Sequence, residues 1–111
     1  MRTLTWPVPT LSGGASQRET YRLDREYTPV RAWVHLDRAP TGVPLIIDLN
    51  VDGVSIFTLR PIVQAQETDL EEDAFASVQF NRDSLVSLDI DQVGGGEQGK
   101  GMTVGLELEE A

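Results

Sequence analysis

The chain has 111 residues, 40% of them hydrophobic and 24% charged, which fits one folded domain and excludes both a disordered chain and a membrane protein. Acidic residues outnumber Lys and Arg by 18 to 9, so the net charge of −9 argues against a nucleic-acid partner. The chain has no cysteine and one histidine, which leaves no thiolate metal site and little acid–base chemistry near neutral pH. We therefore expect neither an enzyme nor a bound cofactor.

Residues 1–18 are predicted to form an extended N-terminal arm followed by a flexible joint. Pro7 and Pro9 fix the backbone and remove two donors, and the small residues at 12–16 are typical of a joint. The segment lacks the apolar run of a secretory signal, which fits folding in a reducing cytoplasm. Trp6 leaves two alternatives open: the segment folds back on its own domain or stays loose, or it docks Trp6 on a neighbouring subunit.

Residues 19–111 are predicted to form one β-sandwich domain, because apolar residues recur at every second position and no segment has helical spacing. In residues 28–37, one face carries Val30, Ala32, Val34 and Leu36. The predicted strands cover residues 20–23, 28–37, 43–51, 54–59, 62–66, 74–80, 85–92 and 102–108. About eight antiparallel strands in two sheets is the count of a jelly roll.

Three connections between these strands have distinct compositions. Asp52-Gly53 predicts a tight hairpin turn, because glycine adopts positive φ without steric cost. Residues 67–73 predict an acidic loop, and the glycine-rich residues 94–101 predict a flexible one. The glycine run lies between two strands and no Lys-Ser/Thr follows it, so it does not predict a phosphate site.

Asp48, Asn50 and Asp52 have the spacing of the first half of a calcium loop, with Gly53 at the sixth position. The twelfth position, which supplies a bidentate glutamate in such loops, is Leu59. Alternate residues of a strand produce the same spacing without a metal. The three residues are therefore a weak calcium candidate.

Asp89 and Asp91 are paired acids on one face of a predicted strand. Glycosidases place two carboxyl groups about 5–10 Å apart, and alternate strand residues lie roughly 6.6 Å apart. Outward acids on an exposed sheet are also ordinary solubilising charge, which is the interpretation we favour.

Trp33 and His35 lie in an outward set together with Arg31. A lone histidine without cysteine does not make a metal site, and no G-x-S-x-G elbow is present. Outward tryptophan is unusual in a monomer, and aromatic anchors with polar neighbours are typical of interfaces. We predict that Trp6, Arg31, Trp33 and His35 form contacts between subunits. The alternative is that Trp33 stacks on a sugar whose hydroxyls bind Asp37 or Arg31.

Four segments resemble a recurrent module of tailed-bacteriophage structural proteins: residues 30–34, 39–57, 85–94 and 102–108. Its motifs occur in order: A-P-T-G at 39–42, D-x-N-x-x-G at 48–53 and D-x-D-Q-V-G at 89–94. The resemblance covers residues 19–109. It implies a jelly-roll-like sandwich that is commonly trimeric, and it carries over no catalytic residue.

The chain has no repetitive shaft, so the resemblance implies a capsid decoration (cement) protein rather than a tail fibre. Its partners would be the major capsid protein and itself, as a homotrimer, with no nucleic acid and no membrane. It would be made in the host cytoplasm and reside on the capsid surface of the virion. The alternative is a tail- or head-surface module that recognises host glycans through Trp33. A hydrolase using Asp89 and Asp91 is a third, more distant hypothesis.

Overall fold

The computed structural model describes residues 1–10, 20–93 and 100–111, which form nine β-strands and no helix. The strands are β1 (Arg2–Thr10), β2 (Tyr21–Arg22), β3 (Tyr27–Arg38), β4 (Leu45–Val51), β5 (Val54–Ser55), β6 (Ile62–Val63), β7 (Asp69–Glu72), β8 (Leu85–Gln92) and β9 (Lys100–Glu110). The predicted joint at 12–16 and the loop residues 94–99 lie outside the described ranges. The predicted all-β fold is confirmed.

The described strands form two antiparallel sheets. The four-stranded sheet has the order β1-β9-β3-β7, and the five-stranded sheet has the order β2-β8-β4-β5, with β6 also paired to β4. The pairs nest: β1 with β9, β2 with β8, β3 with β7 and β4 with β6. In a jelly roll, the first strand of the chain pairs with the last, the second pairs with the second-last, and so on, with successive pairs in alternate sheets. The predicted jelly-roll-like sandwich is therefore confirmed.

The core lies between the two sheets and follows the predicted alternation except at Val30, which was predicted to face inward but is 38% exposed beside the irregularity in register between Pro29 and Arg31. On β3, Ala32, Val34 and Leu36 are buried, while their neighbours in the strand are exposed or half-buried. The opposite sheet supplies a matching apolar layer: Leu45, Ile47, Leu49, Val51, Val86, Leu88 and Ile90. Burial of these side chains stabilises the sandwich, by about 1.5–3 kcal/mol for each fully buried large aliphatic side chain.

The prediction of a separate N-terminal arm is wrong for residues 2–10, which form an edge strand of the four-stranded sheet. β1 pairs with β9 from Arg2↔Leu108 to Thr10↔Lys100. Leu4, Trp6 and Val8 point into the core, and Trp6 is 0% exposed. The domain therefore begins with β1, and the alternative in which this segment folds back on its own domain is the observed one.

The two prolines of β1 are compatible with a strand because both stand at its free edge. Pro7 and Pro9 alternate with the inward residues, as Thr5 does, and the Thr5 carbonyl accepts a hydrogen bond of 2.6 Å from the Tyr21 hydroxyl. Backbone groups at these positions face away from β9, so the missing proline N–H groups leave the ladder intact. An edge with fewer donors is also a poor template for further strands.

Two predictions about the middle of the chain are wrong. The acidic segment predicted as a loop contains β7, which pairs with β3 and turns Leu70 toward the core while Asp69 and Glu71 face outward. Charged side chains are well tolerated on such an edge strand. The strand predicted at 74–80 forms only isolated bridges, Phe57↔Phe75 and Tyr27↔Phe80. The Val78 N–H bonds locally to the Ala76 carbonyl, which removes it from any ladder.

The predicted Asp-Gly hairpin is confirmed. Val51 pairs with Val54, so the connection between β4 and β5 has two residues. Asp52 has φ 51° and Gly53 has φ 83°, the two positive values that a type I′ turn requires.

Candidate functional site

The outer face of the four-stranded sheet brings together three of the four predicted interface residues. Arg31, Trp33 and His35 stand at alternate positions of β3 and share its outward side. Trp6 lies on the inner face of the same sheet, so the prediction that it contacts a neighbouring subunit is wrong for this fold. Trp6 instead packs edge-on against Tyr21, with ring centroids 5.2 Å apart.

Trp33 is half-buried because its ring lies across the neighbouring strand. Trp33 pairs with Gly105 of β9, and a Cβ built at Gly105 would overlap the indole. A glycine at this outward position therefore allows the aromatic ring to approach the sheet backbone closely. Because the Trp33 ring is already held in place before any partner binds, it is preorganised for a contact.

Arg31 is held by carboxylates from both neighbouring strands. Its Nε lies 2.6 Å from Glu107 on β9, and its Nη1 lies 3.3 Å from Glu71 on β7. The bond to Glu107, followed by the charges of both acids, raises the pKa of the guanidinium above its usual range. The shorter contact shows that Glu107 is the principal partner and that Glu71 is held less closely.

His35 stands between two acids on the same face. Its Nδ1 lies 2.7 Å from Asp69 of β7, and its Nε2 lies 3.6 Å from Asp37. The hydrogen bond with Asp69 raises the pKa of the imidazole above its ordinary value of 6.5 and lowers the pKa of Asp69. Because His35 and both acids are substantially exposed, solvent screens these interactions.

An open hollow of about 460 Å³ lies between β3 and β7 on this face. It is lined by Trp33, Val34, His35, Asp69, Leu70 and Glu71. An aromatic ring, an imidazole and two carboxylates thus surround one depression. These groups can stack on a planar or ring-shaped ligand and accept hydrogen bonds from it.

The outer face of the five-stranded sheet carries a different polar cluster. Asp48 is 8% exposed and Asn50 is 7% exposed. The Ser55 hydroxyl donates to Asp48 at 2.6 Å, and the Asn50 amide donates to Asp89 at 2.6 Å. Burial raises the pKa of Asp48, and the Ser55 hydrogen bond opposes that shift. This cluster is largely closed to solvent and satisfied from within.

The calcium candidate residues do not converge. Asp48 and Asn50 take part in that cluster, whereas the Asp52 carboxylate accepts the Leu85 backbone N–H at 2.9 Å across the hairpin end. Within residues 1–10, 20–93 and 100–111, no group of three or more His, Cys, Asp or Glu side chains could hold a metal ion. The spacing of Asp48, Asn50 and Asp52 is that of alternate residues in β4 and in the turn that follows it.

The paired acids of the hydrolase hypothesis each have a partner. Asp89 accepts the Asn50 amide, and Asp91 lies 2.8 Å from Arg60. Both acids belong to the outer face of the five-stranded sheet, on the side of the molecule opposite the hollow.

Three residues of the outer face that carries Trp33 were missed by the sequence analysis. Gly105 interrupts the outward positions of β9, and a lone glycine inside an alternating strand is a detectable sign of close approach. Asp69 and Glu71 were assigned to an acidic loop, although Leu70 between them was the available sign of a half-buried strand.

The comparisons with known proteins assign no family. No family model matches the chain, and no curated protein sequence matches it. Among the described residues, no helix is present that is long and apolar enough to cross a membrane. The fold and the outer face of the four-stranded sheet are therefore the basis for a functional proposal.

Proposed function

We propose that this chain is a phage virion structural protein, a capsid decoration (cement) protein that binds the head lattice as a trimer. The observation that carries the proposal is the half-buried Trp33, fixed over Gly105 and flanked by the Arg31 and His35 ion pairs on the outer face of the four-stranded sheet. Aromatic and arginine side chains are enriched in protein interfaces. Jelly-roll sandwiches recur among capsid proteins, and the sequence motifs resemble a phage module.

In this proposal the outer face of the four-stranded sheet is a protein-contact surface. Subunits that bind the assembled lattice and not its separated parts stabilise it by mass action. A stable contact of this kind needs a buried area on the order of 1,000 Å² or more. The protein acts here by binding, without turnover, after synthesis in the host cytoplasm.

The test is to locate the protein on purified particles of the phage that encodes it. Immunogold labelling or an electron-microscopy map is expected to place many copies on the head. Particles made without the protein are expected to open at a lower temperature. Label confined to the tail tip, or absent from particles, would contradict the proposal.

A matched pair of variants tests the contact surface. Trp33→Ala is expected to reduce the number of copies on heads, whereas Leu59→Ala, which changes a side chain that is 75% exposed outside this face, is expected to leave it unchanged. Equal occupancy for both variants would show that the outer face of the four-stranded sheet is needed neither for the capsid contact nor for the trimer that binds the capsid.

The second candidate function is recognition of host glycans, which is favoured by the hollow beside Trp33. Sugar rings stack on indole faces, and their hydroxyls can bind the Asp69 and Glu71 carboxylates that line the hollow. A glycan array probed with the purified protein is expected to give hits that Trp33→Ala abolishes if this candidate is correct. An array without hits would dismiss it.

A further inference from the structure

The hollow beside Trp33 has acceptor capacity that its own residues leave unused. Glu71 is 67% exposed at its side chain, and its one ion pair among the described residues is the 3.3 Å contact of Oε1 with Arg31. Asp69 is 71% exposed at its side chain and receives His35 on Oδ1 and the Thr68 hydroxyl on Oδ2. An ionised carboxylate has about four lone-pair sites, so both acids can accept further N–H donors.

The chemistry of the lining favours a guanidinium group. A planar cation stacks on an indole and donates two parallel hydrogen bonds to a carboxylate, which an ammonium group does less well. Arg31 already donates one hydrogen bond of 3.3 Å from Nη1 to Glu71, whose other oxygen is left for a second guanidinium. A neutral sugar can stack on the indole and form hydrogen bonds with the two carboxylates, but it has no positive charge for them to attract.

The chain itself provides an arginine that fits this description. Arg82 forms no ion pair or hydrogen bond with any other described residue, whereas the neighbouring Asp83 is bound by Arg22 at 3.1 Å. Arg82 is exposed on the turn in which the Ser84 N–H bonds to the Asn81 carbonyl at 3.1 Å. The turn therefore presents, on a defined backbone, a guanidinium that has no partner within residues 1–10, 20–93 and 100–111.

Arg82 cannot enter the hollow of its own chain. The turn lies beside the start of β3, because the Tyr27 N–H bonds to the Phe80 carbonyl at 3.0 Å. Trp33 stands six residues further along β3, roughly 20 Å away at the rise of a strand. That separation exceeds the length of one side chain, so an Arg82 in the hollow must come from another copy.

We propose that the hollow is a guanidinium-binding site whose occupant is Arg82 of a second copy of this chain. The contact joins two different surfaces, so it is heterologous, and repetition around an axis closes a ring. This inference rests on the trimer of the proposed function and names the contact that holds it together. The exposed carboxylates of Asp69 and Glu71 in the hollow complement a positive group, which gives the partner copy a defined orientation.

Sedimentation equilibrium of the purified chain at physiological ionic strength tests the contact. The unmodified chain is expected to sediment as a trimer. Arg82→Glu and Glu71→Arg are each expected to weaken association at least about tenfold, because each brings like charges together. The double variant, Arg82→Glu with Glu71→Arg, restores an opposite-charge pair and is expected to recover the trimer in part.

Lys100→Glu is the matched control, since it makes the same change of net charge at another exposed cation. It is expected to leave the mass unchanged, and a thermal melt of every variant shows that the fold is retained. A chain that is monomeric, or a trimer that is indifferent to Arg82→Glu, would overturn the inference. So would equal weakening by Lys100→Glu.

A second measurement observes the hollow directly. In an NMR titration with N-acetyl-arginine amide, the Trp33 indole N–H is expected to shift, whereas the buried Trp6 indole serves as an internal reference. N-acetyl-citrulline amide, which has the same shape without the charge, is expected to have no effect. Shifts caused by a simple sugar and not by the arginine derivative would make the hollow a carbohydrate site and overturn the proposal.

The two proposals fail separately. A trimer in solution that depends on Arg82, from a protein that is absent from phage heads, would remove the decoration function and leave the contact. If the protein is found on heads but Arg82→Glu does not change its self-association, the contact is removed and the decoration function remains.

Discussion

The outer faces of the two sheets carry similar polar side chains in opposite circumstances. On the five-stranded sheet, Asp48 and Asn50 are almost fully buried, and their polar atoms bond to Ser55 and Asp89. On the four-stranded sheet, the carboxylates around Trp33 remain exposed, with acceptor sites to spare. The difference teaches that the first cluster is closed within the fold, while the second is open to a partner.

The largest expected effect comes from placing a charge in the buried cluster. Asn50→Asp replaces the amide that donates to Asp89 at 2.6 Å with a second carboxylate, so two anions face each other in a largely dry site. We expect a loss of about 2–4 kcal/mol in the free energy of unfolding at neutral pH. The loss shrinks in acid, because the pKa of the introduced carboxyl rises and it becomes protonated.

Urea unfolding at several pH values measures this effect, and Thr5→Asp is its control. Thr5 is exposed on the outer face of the four-stranded sheet, beside Gly105. A charge there is expected to cost at most about 1 kcal/mol, the range of strand propensities. Equal losses for the two variants would remove the distinction between the faces.

The next effect concerns the support of Trp33. Gly105→Ala introduces a Cβ into the space of the indole, and the ring must move away from the sheet. We expect a destabilisation of about 1–3 kcal/mol, the usual cost of overpacking. The same substitution in a Trp33→Ala background is expected to cost little, because the space is then open. A double-mutant cycle by urea unfolding checks this, and identical costs in both backgrounds would contradict it.

A smaller effect is expected from removing the buried charge of Asp48. Its folded-state pKa lies above the ordinary value of 3.8, so the folded protein gains stability below that value and loses the gain as pH rises through the folded pKa. Asp48→Asn, which keeps an acceptor for the Ser55 hydroxyl, is therefore expected to raise Tm by a few degrees at neutral pH. The difference from the unmodified chain is expected to vanish toward pH 3.8.

The control for Asp48→Asn is Asp73→Asn, which removes the same charge from an exposed position. Thermal melts at neutral and acidic pH are expected to show no comparable rise for this variant. A rise of equal size would show that relief of the overall negative charge, and not burial at position 48, is the cause.

The smallest effect is expected for Arg31→Gln on the exposed face. Arg31 contacts two acids, but solvent surrounds the pairs and screens them. Thermal melts are expected to show little change in Tm, and salt is expected to reduce that change further. A large loss that persists at high salt would mean that the outer face of the four-stranded sheet also holds the fold together.

The sequence was sufficient for the fold class and for the outward set on β3. Strict alternation from Val30 to Leu36 placed Arg31, Trp33 and His35 on one side, because successive side chains of a strand point to opposite faces. The partners of that set could not be predicted. Glu107 and Asp69 meet β3 through the register of distant strands, which no local pattern specifies.

The misplaced segments were those in which local chemistry opposed the pattern. Leu4, Trp6 and Val8 alternate as a strand requires, but Pro7 and Pro9 beside them indicated a segment outside the sheet. Only the position of β1 at a sheet edge makes prolines and a ladder compatible. The acids of β7 misled in the same way, since an edge strand tolerates charges that an interior strand does not.

The nested pairing of strands also orders events during biosynthesis. Arg2 pairs with Leu108, so β1, which is translated before the other described strands, has no neighbour in its sheet until β9 follows. Until then the nascent chain exposes the apolar stripe that contains Trp6. Contacts between such distant residues form slowly, and exposed strands are prone to aggregate. Expression yield should therefore depend on how quickly β9 is translated and docks beside β1.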